Sequence, residues 1–231
     1  MIPYIRFTIK VDCDDPEPSR IIPGIYGEIF DPPGGPNNPD KETKIGAIQA
    51  FLILRGRAMN TGESLFDAMD SISSSTMECY EALFRAPTDE WNKTVDALYE
   101  GDVTGSDVLF IDTIEMHAPF RGKGIGAQVV RGTIDTFASG CVLVVCKPFP
   151  LQYSNWEDEE HRAFRQRPDF EKKRLADFEK VAKFWRSLGF RKLPDSEFYA
   201  YAPGLLGQPD PVSMTVPSRA PRGRRRRASS G

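Results

Sequence analysis

The chain has 231 residues, of which 40% are hydrophobic and 27% charged, a balance that excludes a wholly disordered or collagen-like protein. Six arginines (Arg219, Arg222, Arg224, Arg225, Arg226, Arg227) and no acid fall in 219–231; without them the net charge of −3 becomes 24 basic against 33 acidic side chains, a net of −9 over residues 1–218. An acidic body disfavours nonspecific nucleic-acid binding and mildly favours cationic ligands.

The first third reads as β-structure. Ile5, Phe7, Ile9 and Val11 alternate with Arg6, Thr8, Lys10 and Asp12, the two-residue period of a half-buried strand. A second strand is expected over Ile21 to Asp31 and a third over Ile45 to Arg57, joined as a hairpin across the Pro- and Gly-rich loop Asp31 to Asp40. The period then changes. Leu65, Met69, Ile72, Thr76, Tyr80 and Leu83 are spaced as one face of a single amphipathic helix over 61–84, capped by Thr61 or Ser64, with Ser73, Ser74 and Ser75 on its wet side. A short helix is expected over Trp91 to Tyr99.

Val108 to Met116 reads as another strand, followed by a glycine-rich turn and a helix from Ala127 to about Ala138. Cys141 to Lys147 is almost continuously apolar, the pattern of a strand buried on both faces. Phe170 to Leu188 is predicted to be a long helix with Leu175, Phe178, Ala182 and Trp185 facing the core, stopped by Gly189. Phe198 to Tyr201 reads as a last strand. One domain is expected over 1–202: strands within 1–57, a helix over 64–84 and a core over 107–201. From Pro203 the chain is rich in Pro, Gly, Ser and Arg, a composition that predicts a disordered basic tail.

The four cysteines (Cys13, Cys79, Cys141, Cys146) form no C-x-x-C pair, and the two histidines are far apart. Free buried thiols in a reducing compartment are expected, with no metal site. No run approaches the roughly 18–20 apolar residues of a membrane span. Met1 to Lys10 has no basic stretch followed by an apolar one. An intracellular chain, cytoplasmic or nuclear, with no membrane partner is the expectation.

The informative segment is Arg121-Gly122-Lys123-Gly124-Ile125-Gly126-Ala127, between a strand and a helix. Successive glycines let a backbone approach a ligand and aim its N–H groups at one point. The following helix adds unpaired N–H groups and the positive end of its dipole. Arg121 and Lys123 add charge. This is an anion site suited to phosphate. A dinucleotide fingerprint fits poorly: His117 to Arg121 separate the glycines from the strand, and the next strand ends in Cys146-Lys147 rather than an acid. A Walker loop is excluded by its pattern.

The stretch Ile114 to Gly126 resembles the acyl-CoA-binding motif of the GNAT N-acetyltransferase superfamily, in which an apolar-x-apolar strand end leads to R/Q-x-x-G-x-G/A. Phe184-Trp185-Arg186-Ser187-Leu188-Gly189-Phe190 is similar to that family's F-Y-x-x-L-G-F segment. The resemblance covers about Val108 to Tyr201. It implies an α/β (α+β) fold with a mixed, mostly antiparallel central sheet flanked by helices. It further implies acetyl-CoA as co-substrate, held by Ile114, Met116, Arg121, Gly122, Lys123, Gly124, Ile125, Gly126 and Ala127, and an amine acceptor. The neutral amine would attack the thioester carbonyl directly, backbone N–H groups near Met116 would stabilise the oxyanion, and Glu115 is the candidate base. Asp112 and His117 are weaker candidates for the same role.

The chain departs from the family twice. The family's acceptor-binding helices lie between its first two strands, whereas here the helix of 64–84 follows three strands. The family's tyrosine, which often protonates the leaving thiolate, corresponds to Trp185, and an indole is no acid; Tyr153 is a replacement candidate on sequence proximity. The acidic run Glu157 to Glu160 reads as a solvated loop or helix start, and Trp91 and Trp156 as packing residues. Arg224 to Arg227 resembles a basic nuclear-import signal, and such clusters also bind nucleic acid. Arg226-Arg227-Ala228-Ser229 resembles a basophilic kinase site. The alternative to an enzyme is a GNAT-like module that binds CoA, or works through contacts alone, without turnover.

Overall fold

The alternating N-terminal segment forms an edge strand. In a computed structural model, which describes residues 3–10, 18–33, 41–98, 105–153, 165–166 and 168–203, β1 (Tyr4–Lys10) pairs antiparallel with β2 (Gly24–Asp31). In turn β2 pairs antiparallel with β3 (Thr43–Ile53), the expected hairpin. Ile5 and Phe7 pack into the core beneath the sheet, while Tyr4 and Arg6 on the opposite face bond Glu42.

The third strand is shorter than its apolar pattern predicts. It stops at Ile53, and helix α1 (Arg55–Thr61) follows immediately. Arg55 is drawn out of the strand direction by distant partners: its Nε donates to the Asp89 carbonyl at 2.7 Å, and its guanidinium lies 5.1 Å above the Trp91 ring. The single predicted helix of 61–84 is two helices, α2 (Leu65–Ile72) and α3 (Ser74–Leu83). Ser64 caps the first by accepting from the Asp67 N–H at 3.1 Å. Ser73 is extended and caps the second in a capping box with Thr76. Thr76 Oγ1 also donates to the Met69 carbonyl at 2.6 Å, which locks α3 against α2. The apolar spacing runs on across the break, so periodicity alone does not reveal it. A two-residue hairpin, β4 (Phe84–Arg85) and β5 (Glu90–Trp91), precedes α4 (Lys93–Leu98).

The chain then enters the middle of the sheet. Strand β6 (Asp107–Met116) pairs antiparallel with β3 on one side and parallel with β7 (Cys141–Cys146) on the other. Helix α5 (Ile125–Phe137) makes the crossover between these parallel strands. After helix α6 (Phe170–Ser187), the short strands β8 (Arg191–Lys192) and β9 (Tyr199–Tyr201) complete a seven-stranded sheet in the order β1-β2-β3-β6-β7-β9-β8. The fold is thus mixed α/β with a mostly antiparallel sheet flanked by helices.

Helices cover both faces. Leu65, Met69, Tyr80 and Leu83 pack with Phe51, Phe110 and Val145 on one face. Val130, Ile134, Ala182 and Trp185 pack with Leu109, Ile111 and Val144 on the other. Coverage on both sides is why β7 is apolar at nearly every position. Helix α6 buries only Ala182 and Trp185. Leu175, predicted to face the core, is 63% exposed. An 18-residue helix is roughly 27 Å long, whereas the six-residue β7 spans roughly 20 Å, so the first turns of α6 outrun the sheet. Cys13, Trp156, the run Glu157 to Glu160 and the tail from residue 204 lie outside the described residues.

Candidate functional site

The site begins with an irregularity in β6. Opposite β3, Gln49 pairs with Thr113 and Ala50 with Ile111, so Asp112 is an extra residue with no partner. Opposite β7, pairing ends at Ile111 and Cys146. Residues 112–116 therefore continue along β3 with no strand beside them on the β7 side, among the described residues. Such an edge presents N–H and C=O groups that an extended ligand can pair with. The bulge also reverses the side-chain phase. Leu109 and Ile111 face α5 and α6, and so do Ile114 and Met116, although the step from Ile111 to Ile114 is odd. Asp112 is turned to the opposite face, toward Ser75 and Glu78 of α3.

Past Met116 the chain is held by the His117 N–H on the Ile45 carbonyl (2.8 Å) and makes one 3-10 turn, Ala118–Phe120. Gly122 (φ 71°) and Gly124 (φ 82°) follow in left-handed backbone, and a Cβ built on either meets nothing within 4 Å. Gly124 is the N-cap of α5, and the first helical bond runs from Gln128 N–H to the Gly124 carbonyl. The N–H groups of Ile125, Gly126 and Ala127 precede that bond and have no carbonyl partner inside the helix. Arg121 Nε donates to the Met116 carbonyl at 2.7 Å, tying the loop to the end of β6. Lys123 Nζ lies 5.2 Å from the Phe120 ring centroid. A Cβ on Gly126 would sit 3.8 Å from Phe184 and 4.0 Å from Ile114, so β6, α5 and α6 meet at this glycine.

The nine residues expected to hold acyl-CoA thus form one continuous feature. Ile114, Met116, Ile125 and Ala127 line the core side, and Arg121 to Gly124 form its exposed rim. Glu115, the expected base, is exposed near the end of β6, as is His117 just beyond it. The Tyr153 hydroxyl donates to Asp177 at 2.8 Å, and its ring packs on Phe170 and Phe178. Burial, with the Asp177 bond and charge, pushes its pKa up to about 12. Asp177 lies about 10 Å before Phe184 along the helix axis. Trp185 is 4% exposed and packs edge-on against Phe184 and Phe190.

A second group of side chains, Ser75, Glu78, Asp112, Lys147 and Glu197, gathers on the α3 face, and of these only Asp112 was a candidate for the chemistry in the sequence. Just past β7, Lys147 Nζ bonds Glu78 at 2.7 Å and Glu197 at 3.0 Å. Burial pulls its pKa down, and the two carboxylates outweigh that and hold it above the ordinary value. Burial raises the pKa of Asp112 and the Glu78 charge adds to it, while a hydrogen bond from Ser75 opposes the rise. Cys79 and Cys146 are fully buried, and burial pushes both thiols well up, with smaller contributions from Asp112 and Cys79 respectively. Burial raises Cys141 to about 12, helped by Asp107. Thiols so placed are inert packing groups.

Among the described residues no group of three or more His, Cys, Asp or Glu is placed to hold a metal ion, and no helix is long and apolar enough to cross a membrane. Comparison with protein-family models, with curated proteins and with solved structures finds no match for this chain.

Proposed function

We propose that the chain is an acyl-CoA-dependent N-acetyltransferase that passes an acetyl group from acetyl-CoA to an amine by direct attack. The observation that carries this reading is the continuity of the open β6 edge, residues 112–116, with the left-handed glycines and the unpaired N–H groups that open α5. The residues fit a CoA group chemically. Gly122 and Gly124 leave open space where a side chain would stand, which suits a pyrophosphate lying on the amides of 125–127. Arg121 and Lys123 supply two exposed cations beside it. The unpaired strand edge suits an amide-bearing arm that hydrogen-bonds as an added strand does.

Acetyl-CoA supplies an activated thioester carbonyl. The protein's part is to position it and to manage protons. The loop and the first turn of α5 bind the phosphates, which is positioning rather than chemistry. Free N–H groups of β6 beyond Ile111 orient the carbonyl and favour negative charge on its oxygen. A carboxylate at this end of β6, Asp112 or Glu115, takes the proton that makes an ammonium acceptor nucleophilic.

The test is thermal unfolding with CoA or acetyl-CoA. At 100 times the dissociation constant the ligand adds about 2.7 kcal/mol, a rise in Tm of roughly 5–11 °C for a domain of this size. A folded sample that shows no shift at millimolar CoA overturns the reading. One observation favours the alternative of a CoA-binding module without turnover: Trp185 stands buried where the GNAT segment it resembles carries a tyrosine, and the Tyr153 hydroxyl is already engaged by Asp177. Release of free CoA thiol in the presence of an amine decides between the two.

A further inference from the structure

We propose that Asp112, rather than Glu115, is the base of the transfer, and that the acceptor amine approaches it from the α3 side of the sheet. The inference rests on the acetyltransferase reading. Its ground is the bulge. Asp112 is the one residue between Val108 and Met116 that lacks a strand partner on β3, and it is also the first residue past the end of pairing with β7. Its carboxyl therefore stands where the two parallel strands part. Glu115 is three positions further, about 10 Å along the strand, and exposed.

The neighbours separate Asp112 from the other acids. Glu78 on α3 and Glu197 before β9 are both paired with Lys147, the cation that follows β7. Cys79 of α3 adjoins as a buried thiol. The partner of Asp112 among the described residues is the Ser75 hydroxyl, so its carboxyl keeps the capacity to accept from an ammonium. Ser75 is itself positioned by the capping box that starts α3. Half-buried surroundings make the carboxyl more basic than an exposed one, which improves proton transfer near neutral pH.

The step balances as follows. One proton of the acceptor's ammonium passes to Asp112 and on to water. The freed nitrogen lone pair forms the N–C bond with the thioester carbonyl, and the C–S bond breaks with its electrons on sulfur. The second N–H proton neutralises the thiolate, leaving an amide and free CoA.

The experiment uses the full chain, acetyl-CoA, and spermidine, lysine, a lysine-bearing peptide and water as acceptors, with thiol release as the readout. Asp112→Asn is expected to lower the rate about 10²–10⁴-fold with the CoA dissociation constant unchanged within about threefold. It should also remove the limb of the pH–rate profile that rises as the carboxyl loses its proton. Because folding raises the pKa of Asp112, the folded state favours the protonated carboxyl, and that contribution is lost as pH rises through the folded value. Asp112→Asn should therefore raise Tm at about pH 8 and leave it nearly unchanged at about pH 4. Ser75→Ala, which removes the bond opposing the rise, should move the limb to higher pH. Wild-type protein that binds no CoA, or releases no thiol with any acceptor, overturns the enzyme reading and the assignment with it. Thiol release that persists in Asp112→Asn with an unaltered pH profile, or is lost only in Glu115→Gln, overturns the assignment of Asp112 alone.

Discussion

Gly124 shows how much chemistry one position can carry. Its φ of 82° is costly for any residue with a Cβ, and the space beside it is open. A side chain there meets no protein atom, so its effect on binding falls on the ligand. Gly124→Val is expected to abolish CoA binding while the protein stays folded, with a stability loss of about 1–2 kcal/mol from the left-handed backbone. Calorimetric titration checks it, and wild-type affinity in the variant would show the loop to be only a turn. This residue was legible in the sequence because left-handed backbone selects glycine locally. The surroundings of Asp112 were not. Ser75 and Glu78 come from α3, and Lys147 and Glu197 from two further segments, and no local pattern joins them to β6.

Helix α6 makes the corresponding point for elements. The sequence predicts its span within a residue, yet it places Leu175 in the core, where the structure leaves it 63% exposed. Trp185→Ala is expected to cost about 3–5 kcal/mol, the range for emptying a buried aromatic site. Leu175→Ala should change stability by no more than about 0.5 kcal/mol. Chemical denaturation of the two variants measures both, and equal losses would restore the predicted face. The helix of 61–84 failed differently. Its apolar spacing continues through Ser73, and what breaks it is the capping box, in which Ser73 and Thr76 satisfy each other's backbone N–H groups. Serine at that point has two readings, wet face or N-cap, and the tertiary bond from Thr76 to Met69 selects the second.

For the whole molecule, the boundary of the domain is set by β9. Tyr199 to Tyr201 pair with β7 and are buried, so the sheet needs the chain through residue 201. Both signature segments end before residue 191. Deleting 204–231 is therefore expected to leave CoA affinity within about threefold, measured by titration on the shortened chain. Loss of binding or of folding on deletion would place the tail inside the fold. The same deletion removes the six tail arginines, so nonspecific binding to nucleic acid, read as retention on a DNA column, should fall with it.

By itself the sequence determined the period of β1, the buried run of β7, the extent of α5 and α6, and the glycine loop between β6 and α5. Each depends on near-neighbour physics: alternation, helical spacing, or a backbone angle that only glycine adopts cheaply. Tertiary structure decided where β3 stops, because Arg55 is held by Asp89 and Trp91 far along the chain. It decided the bulge at Asp112, because a bulge is a mismatch between two strands and exists in neither alone. It also decided that β6 outruns β7 by five residues, since strand lengths can be compared only once the strands lie side by side.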